Sequence, residues 1–220
     1  MTETREALRW TSIGLVGVAV LLGVLAMFFP WSEGDMEVFD ELRFEWGLLG
    51  GEVTEDGEPE EEWSWYDEHL DSDGERPLSD HDGVVLLRIA VPLYFIGLLT
   101  AAAGPVLVLV RRRVAGGLLT FGGGLLWLIS TILVAIGIGD FEGELFGGFA
   151  DRAMDIAPGQ VLAFIAAPLA IIAGALALTS TLAFGTAPQS PDPTGSVAPS
   201  TEVTEPRPKD FRLDRRHRFR

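Results

Sequence analysis

Long uncharged stretches alternate with strongly charged segments along this chain. Four stretches contain no Asp, Glu, Lys or Arg, and they cover residues 10–32, 89–110, 114–139 and 156–191. An α-helix rises about 1.5 Å per residue, so roughly 20 residues cross a hydrocarbon layer of about 30 Å. The pattern therefore predicts an all-α membrane protein with a bundle of four transmembrane helices, at residues 10–30, 84–110, 114–138 and 158–184.

The charges between these stretches predict an orientation. Arginines flank the first helix at Arg5 and Arg9, fill the turn at 111–113, and recur in the C-terminal tail. The segment 31–83 instead holds 20 acidic residues. Basic flanking segments stay in the cytoplasm. We therefore expect a multi-pass plasma-membrane protein with residues 1–9, 111–113 and 185–220 in the cytoplasm and residues 31–83 and 139–157 outside.

The acidic segment 31–83 also carries a β-sheet pattern. Between residues 36 and 48, apolar side chains occupy every second position except Asp40, which is typical of a half-buried strand. Gly50-Gly51 predicts a turn or bulge, residues 52–62 a connection, and Trp63, Trp65 and Tyr66 a shorter second strand. We expect a small extracellular antiparallel sheet between helices 1 and 2.

Arg88 is the one ionisable side chain that the pattern places clearly inside a predicted span. It lies about one turn from the external end of the second helix, where an unpaired charge is costly. It can snorkel towards the acidic segment or form a structural contact that ties this segment to the bundle. A transport or proton-relay role is less favoured, because no other predicted helix has an ionisable group at depth.

The composition restricts the function classes. The net charge is −16, only Lys209 is lysine among 16 basic residues, and cysteine is absent. An acidic, lysine-poor composition resembles that of proteins from extreme halophiles, although an ordinary acidic external domain is the alternative. Without cysteine there is no disulfide, thiol nucleophile or thiolate metal site. The carboxylates are expected to attract cations weakly, without a defined site.

The sequence has no motif that predicts an enzyme. P-loop, dinucleotide-binding, zinc-protease, serine-hydrolase and kinase motifs are all missing, so we expect a non-enzymatic protein with no cofactor. The spacing Asp71-x-Asp73-x-Glu75 invites a calcium hypothesis but lacks the glycine and terminal glutamate of an EF-hand loop. His69 and His81 are more simply explained as surface residues than as metal ligands.

The C-terminal tail, residues 185–220, is predicted to be disordered because it is rich in Pro, Ser and Thr. It ends in a basic cluster of five arginines. These are Arg212, Arg215, Arg216, Arg218 and Arg220. The cluster can bind anionic lipid headgroups or can serve only as a topology signal. Nucleic-acid binding is not expected, because no folded basic surface is predicted.

Several residues resemble the claudin and PMP22-type family of four-helix membrane proteins. Trp31 directly follows the first helix, Trp46-Gly47-Leu48-Leu49 is similar to the family's W-(x)-G-L-W stretch, and Arg88 stands where claudins carry an arginine. The chain departs from the family at Leu49, which replaces the second tryptophan, and in lacking the cysteine pair. The resemblance implies a helix bundle topped by an antiparallel sheet and a role in adhesion, barrier or subunit contacts.

The function expected from these features is a structural, adhesion or partner-subunit interaction. The contacts would use the external sheet and the Gly/Ala-rich faces of the helices, with other membrane proteins, a second copy and the lipid bilayer as partners. Small residues let helices approach closely in lipid, either between chains or within the bundle. The alternative is an oligomeric pore or transport-associated subunit with an acidic external vestibule.

Overall fold

A computed structural model of the protein describes residues 2–36, 42–55, 58–67, 81–110, 112–146 and 154–182. This part of the chain contains four α-helices and five β-strands. The helices are α1 (Thr2–Leu25), α2 (Asp82–Leu109), α3 (Arg113–Phe146) and α4 (Pro158–Leu182). The strands are β1 (Ser32–Met36), β2 (Leu42–Trp46), β3 (Gly50–Glu55), β4 (Glu58–Ser64) and β5 (Met154–Ile156).

All four helices are long and apolar enough to cross a membrane, which confirms that part of the prediction. The qualifying segments are Glu6–Leu25, Asp82–Leu109, Arg113–Leu145 and Pro158–Leu182. Between 22% and 44% of an 18-residue stretch of each segment is buried inside the protein, and many large apolar side chains of the helices are exposed. An apolar outer surface of this extent is typical of helices that face lipid.

Two helices differ from their predicted bounds. The first helix begins at Thr2, where a start at residue 10 was predicted, because the partly charged segment 3–9 continues the helix, and it ends at Leu25 rather than at residue 30. Helix α3 continues to Phe146, eight residues beyond the predicted end at 138. Uncharged stretches mark the apolar part of a helix, but charged residues such as Asp140 are compatible with helical backbone and do not end it.

Helices α2 and α3 pack through small residues that recur every seven positions in both. The series are Gly83, Ala90, Gly97 and Gly104 in α2 and Gly116, Gly123, Ser130 and Gly137 in α3. A Cβ on Gly97 would lie 2.6 Å from the Trp127 backbone nitrogen, and one on Gly83 would lie 2.5 Å from the Gly137 oxygen. Only glycine therefore allows the two backbones to approach so closely.

The small residues of α4 are also used inside the bundle. The buried positions include Ala163, Ala166, Ala167, Ala170, Ala173 and Ala177. A Cβ on Gly174 would lie 2.5 Å from the Phe121 nitrogen of α3, and Ser12 of α1 donates a hydrogen bond to Ala173 O at 2.8 Å. These faces are thus occupied by internal packing, whereas Gly14, Gly17 and Gly122 have open space around them.

The five strands form one antiparallel sheet in the order β4-β3-β2-β1-β5. The prediction of a single strand over 36–48 is wrong, because Met36 ends β1, Leu42 begins β2, and these two residues pair with each other in an antiparallel arrangement. The connection expected at 52–62 instead contributes to β3 and β4, and Trp65 and Tyr66 lie in a turn. Strand β5 comes from the segment 139–157 and was not predicted, because three residues are too few to establish alternation.

Candidate interaction surface at the sheet end of the bundle

One face of the sheet is a row of aromatic side chains against the helices. Trp46 lies opposite Gly51, and Gly51 lies opposite Trp63, so both indoles project from the same face. Their ring centroids are 5.2 Å apart, and Trp46 meets Phe141 of α3 edge-on at 5.4 Å. A Cβ on Gly51 would lie 2.5 Å from the Trp46 ring. The glycine leaves the space into which the two indoles pack.

Trp31 joins three elements at the end of α1. Its indole donates a hydrogen bond to Ala26 O at 2.8 Å, and its backbone N–H donates to Trp46 O at 2.6 Å. The ring packs edge-on against Tyr94 of α2 at 5.8 Å, and the Tyr94 hydroxyl donates to Gly23 O. A fully buried Trp31 therefore fixes where the chain leaves α1 and enters the sheet.

The β2–β3 connection contains the rest of the stretch that resembles the claudin motif. Leu48 is fully buried, while Leu49 is half exposed. Gly47 accepts a hydrogen bond from the Trp65 indole at 3.1 Å and donates one to Gly50 O at 2.7 Å. Trp46, Gly47 and Leu48 thus hold the turn onto the aromatic layer, and Leu49 points out of it.

Arg88 binds the turn that follows β4. Its Nε donates to Trp65 O at 2.7 Å, and a terminal guanidinium nitrogen donates to Asp67 O at 2.7 Å. The Tyr66 hydroxyl donates to Arg88 O at 3.4 Å. Partial burial raises the pKa of Tyr66, and the charge of Arg88 opposes that shift. Among the residues that the structure describes, the arginine therefore contacts backbone carbonyls at the edge of the sheet and no carboxylate.

The opposite face of the sheet presents a ladder of carboxylates, one from each strand. Cross-strand pairing places Glu62, Glu52, Glu45, Glu33 and Asp155 in one continuous row. Directly opposed like charges repel each other and destabilise a sheet. Arg43 relieves part of this repulsion, since it contacts Glu33 at 3.1 Å and Glu45 at 3.0 Å.

A further side-chain contact joins the residue before α2 to α3 beside the aromatic layer. His81 lies 2.6 Å from Glu144 of α3, and its ring packs edge-on against Phe141 at 5.5 Å. Glu142 is buried next to Ser32. Within the described ranges no three His, Asp or Glu side chains converge as metal ligands. Residues 71–75 and His69 lie outside the described residues.

A groove of about 380 Å³ opens between the end of α1 and the sheet. Apolar side chains of the 27–30 turn form one wall, and the β2–β3 connection forms another. Phe28 is 77% exposed and Leu49 is 49% exposed at its rim. Three members of the carboxylate ladder, Glu45, Glu52 and Glu62, also line it. The groove thus combines an exposed apolar wall with concentrated negative charge.

Three buried aromatic residues of the helices were not predicted from the sequence as packing positions. Phe141, Tyr94 and Trp127 are fully buried and connect the helices to the aromatic layer or to one another. Phe141 had one usable signal, since it is an aromatic residue directly between two acidic residues, Asp140 and Glu142. The arginines 212–220 lie outside the described residues, so their lipid binding stays a prediction.

Comparison of the chain with protein-family models and with curated proteins found no match.

Proposed function

We propose that this protein is a non-enzymatic four-helix membrane protein that binds another membrane protein through the groove at the sheet end of its bundle. Three features support the proposal: four apolar helices, a sheet packed onto them by buried tryptophans, and an exposed groove with apolar and acidic walls. The observation that carries it is the groove, because exposed Phe28 and Leu49 stand beside three carboxylates.

The chemistry of the groove favours a partner segment that is apolar and positively charged. Among the described residues at this end of the bundle, the cations Arg43 and Arg88 already have partners within the chain. A second copy would therefore bring further carboxylates without a free described cation. We expect a different membrane protein whose contacting segment carries Lys or Arg next to apolar residues.

The sheet is rigid enough to present such a groove. Its aromatic layer and the two hydrogen bonds from Arg88 fix it to the helices, so little ordering would be needed upon binding. The same plan fits the adhesion or subunit role that the claudin resemblance implies, with a bundle topped by an antiparallel sheet. Membership of the claudin and PMP22-type family is likewise proposed, on the basis of this resemblance.

The contact is tested by photo-crosslinking in native membranes. A photoreactive amino acid at Leu49 should give one discrete product, whereas the same residue at Ile156, which is 71% exposed but does not line the groove, should give none. Neutralising Glu52 and Glu62 to Gln should strongly reduce the Leu49 product. A product that survives this change, or equal products from both positions, would contradict the proposed contact.

The proposed topology is tested separately by cysteine labelling, since the chain has no cysteine of its own. A cysteine at Ser64 should react with an impermeant thiol reagent in intact cells, and one at Ser190 should not. Equal or reversed labelling would refute the orientation.

The carboxylate ladder is the observation that favours the second candidate, an oligomeric pore subunit. In the described helices the bundle interior is filled by residues such as Tyr94 and Trp127, so a path would have to lie between copies. This candidate requires ion flux in liposomes that decreases when Glu52 and Glu62 are neutralised. Selective flux of this kind would displace the partner-binding proposal.

A further inference from the structure

At the opposite end of the bundle, two arginines have no carboxylate partner among the described residues. Arg9 of α1 and Arg113 of α3 line the same small cavity, together with Ser12, Val108, Ser180 and residues 177 and 181 of α4. No described carboxylate forms an ion pair with either arginine, and the buried Nε of Arg9 has no hydrogen-bond partner among the described residues. An anion bound at the cavity would lower the repulsion between these two partly buried like charges.

The hydroxyl groups that line the cavity already donate hydrogen bonds to backbone carbonyls within their own helices or the neighbouring helix. Ser12 donates its hydroxyl proton to Ala173 O at 2.8 Å, and Ser180 donates to Ala177 O at 2.7 Å. The Thr181 hydroxyl likewise donates to Leu178 O at 2.8 Å, so the two guanidinium groups are the side-chain donors left at the cavity, and their planar forks match the oxygens of a phosphate. Helix α3 begins at Arg113, so its N-terminus adds positive potential at the same place.

The position of the cavity and its size define the ligand. It lies where all four apolar helices end, beside Trp10, which is 60% exposed, as is typical of aromatic residues at a membrane boundary. Its volume of about 10 Å³ is close to that of one water-sized atom. One oxygen of an anion can therefore enter, while the rest of the group stays at the mouth.

We infer that Arg9 and Arg113 form a binding site for a phosphate group, supplied by the headgroup of an anionic lipid or by free phosphate. The site lies at the opposite end of the bundle from the groove, so it needs the proposed membrane insertion but not the proposed partner. It is also distinct from the predicted basic cluster of the tail, which remains present in every variant below.

The test uses the full chain in a neutral detergent and native mass spectrometry with dioctanoyl phosphatidylglycerol. Arg9→Gln and Arg113→Gln should each weaken binding about tenfold or more, because each removes a charge-assisted contact. The matched control is Arg112→Gln, which removes the same charge from an exposed neighbour outside the cavity, and it should change affinity less than about twofold.

Two further measurements distinguish a lipid headgroup from free phosphate and show whether a loss of binding comes from misfolding. Competition by millimolar inorganic phosphate identifies free phosphate as a ligand, and its absence identifies the lipid headgroup. Arg9→Lys retains the charge and should bind more tightly than Arg9→Gln. Unchanged affinity in both Gln variants, or an equal loss in the Arg112→Gln control, would overturn the site.

Discussion

Replacing Arg88 with Gln should release the sheet from the helices while all four helices remain folded. Arg88 is partly buried and donates two hydrogen bonds of 2.7 Å to Trp65 O and Asp67 O. Hydrogen bonds from a charged donor contribute about 1.5–3 kcal/mol each, and partial exposure favours the lower value. The free energy that keeps the sheet closed on the helices should therefore fall by about 3 kcal/mol. This raises the equilibrium constant for opening of the sheet about a hundredfold.

Hydrogen exchange measured by mass spectrometry reports this opening directly. The amides of β3 and β4 should exchange about a hundredfold faster in Arg88→Gln, whereas the α2 and α3 core should keep the protection of the parent. Arg88→Lys should recover about half of the loss on a free-energy scale, because one ammonium group cannot reproduce the planar fork. Circular dichroism at 222 nm verifies that the helices persist.

The matched control is Arg43→Gln, in the same sheet. Arg43 is half exposed and forms ion pairs with Glu33 and Glu45, each of the kind that contributes about 0–1 kcal/mol. The comparison is made in about 1 M KCl, where the screening length is about 3 Å and exposed pairs contribute least. If Arg88→Gln exchanges like the parent, or if Arg43→Gln opens the sheet equally, the Arg88 hydrogen bonds are not what holds the sheet to the helices.

Three further substitutions, two of them paired with a control substitution, test the packing and the carboxylate ladder. Gly51→Val should cost about 1–3 kcal/mol because its side chain displaces two packed indoles, while Gly47→Ala should melt like the parent, since its Cβ would be 3.5 Å from the nearest atom. Gly97→Val should lower the melting temperature by separating α2 from α3, whereas Gly122→Val, which has open space, should not; equal losses would refute the close helix contact. Glu52→Gln should stabilise the sheet by about 0.2–1 kcal/mol at low salt and by less in molar KCl, and a salt-independent effect would exclude like-charge repulsion as its cause.

The amino-acid sequence by itself determined the four long apolar helices and the existence of an antiparallel sheet. Both follow from local properties, namely the length of an uncharged stretch and the alternation of apolar side chains. It also singled out Trp31, Trp46 and Leu48, which are buried, and Arg88, which meets backbone carbonyls. Large aromatic residues within an acidic segment indicate buried positions, because burial of a large aromatic side chain contributes strongly to the free energy of folding.

Only the tertiary structure decided how distant segments meet. Strand β5 and Phe141 complete the sheet and its aromatic layer from a part of the chain more than 90 residues away from Trp46. The carboxylate ladder likewise depends on the register of four strand pairs, and a shift of one residue would place those side chains on the other face. The seven-residue spacing of small residues is visible in the sequence, but whether it faces another chain or a neighbouring helix depends on the packing of the whole bundle. Contacts between segments far apart in the sequence depend on the burial of many side chains at once. A local sequence pattern does not carry this information.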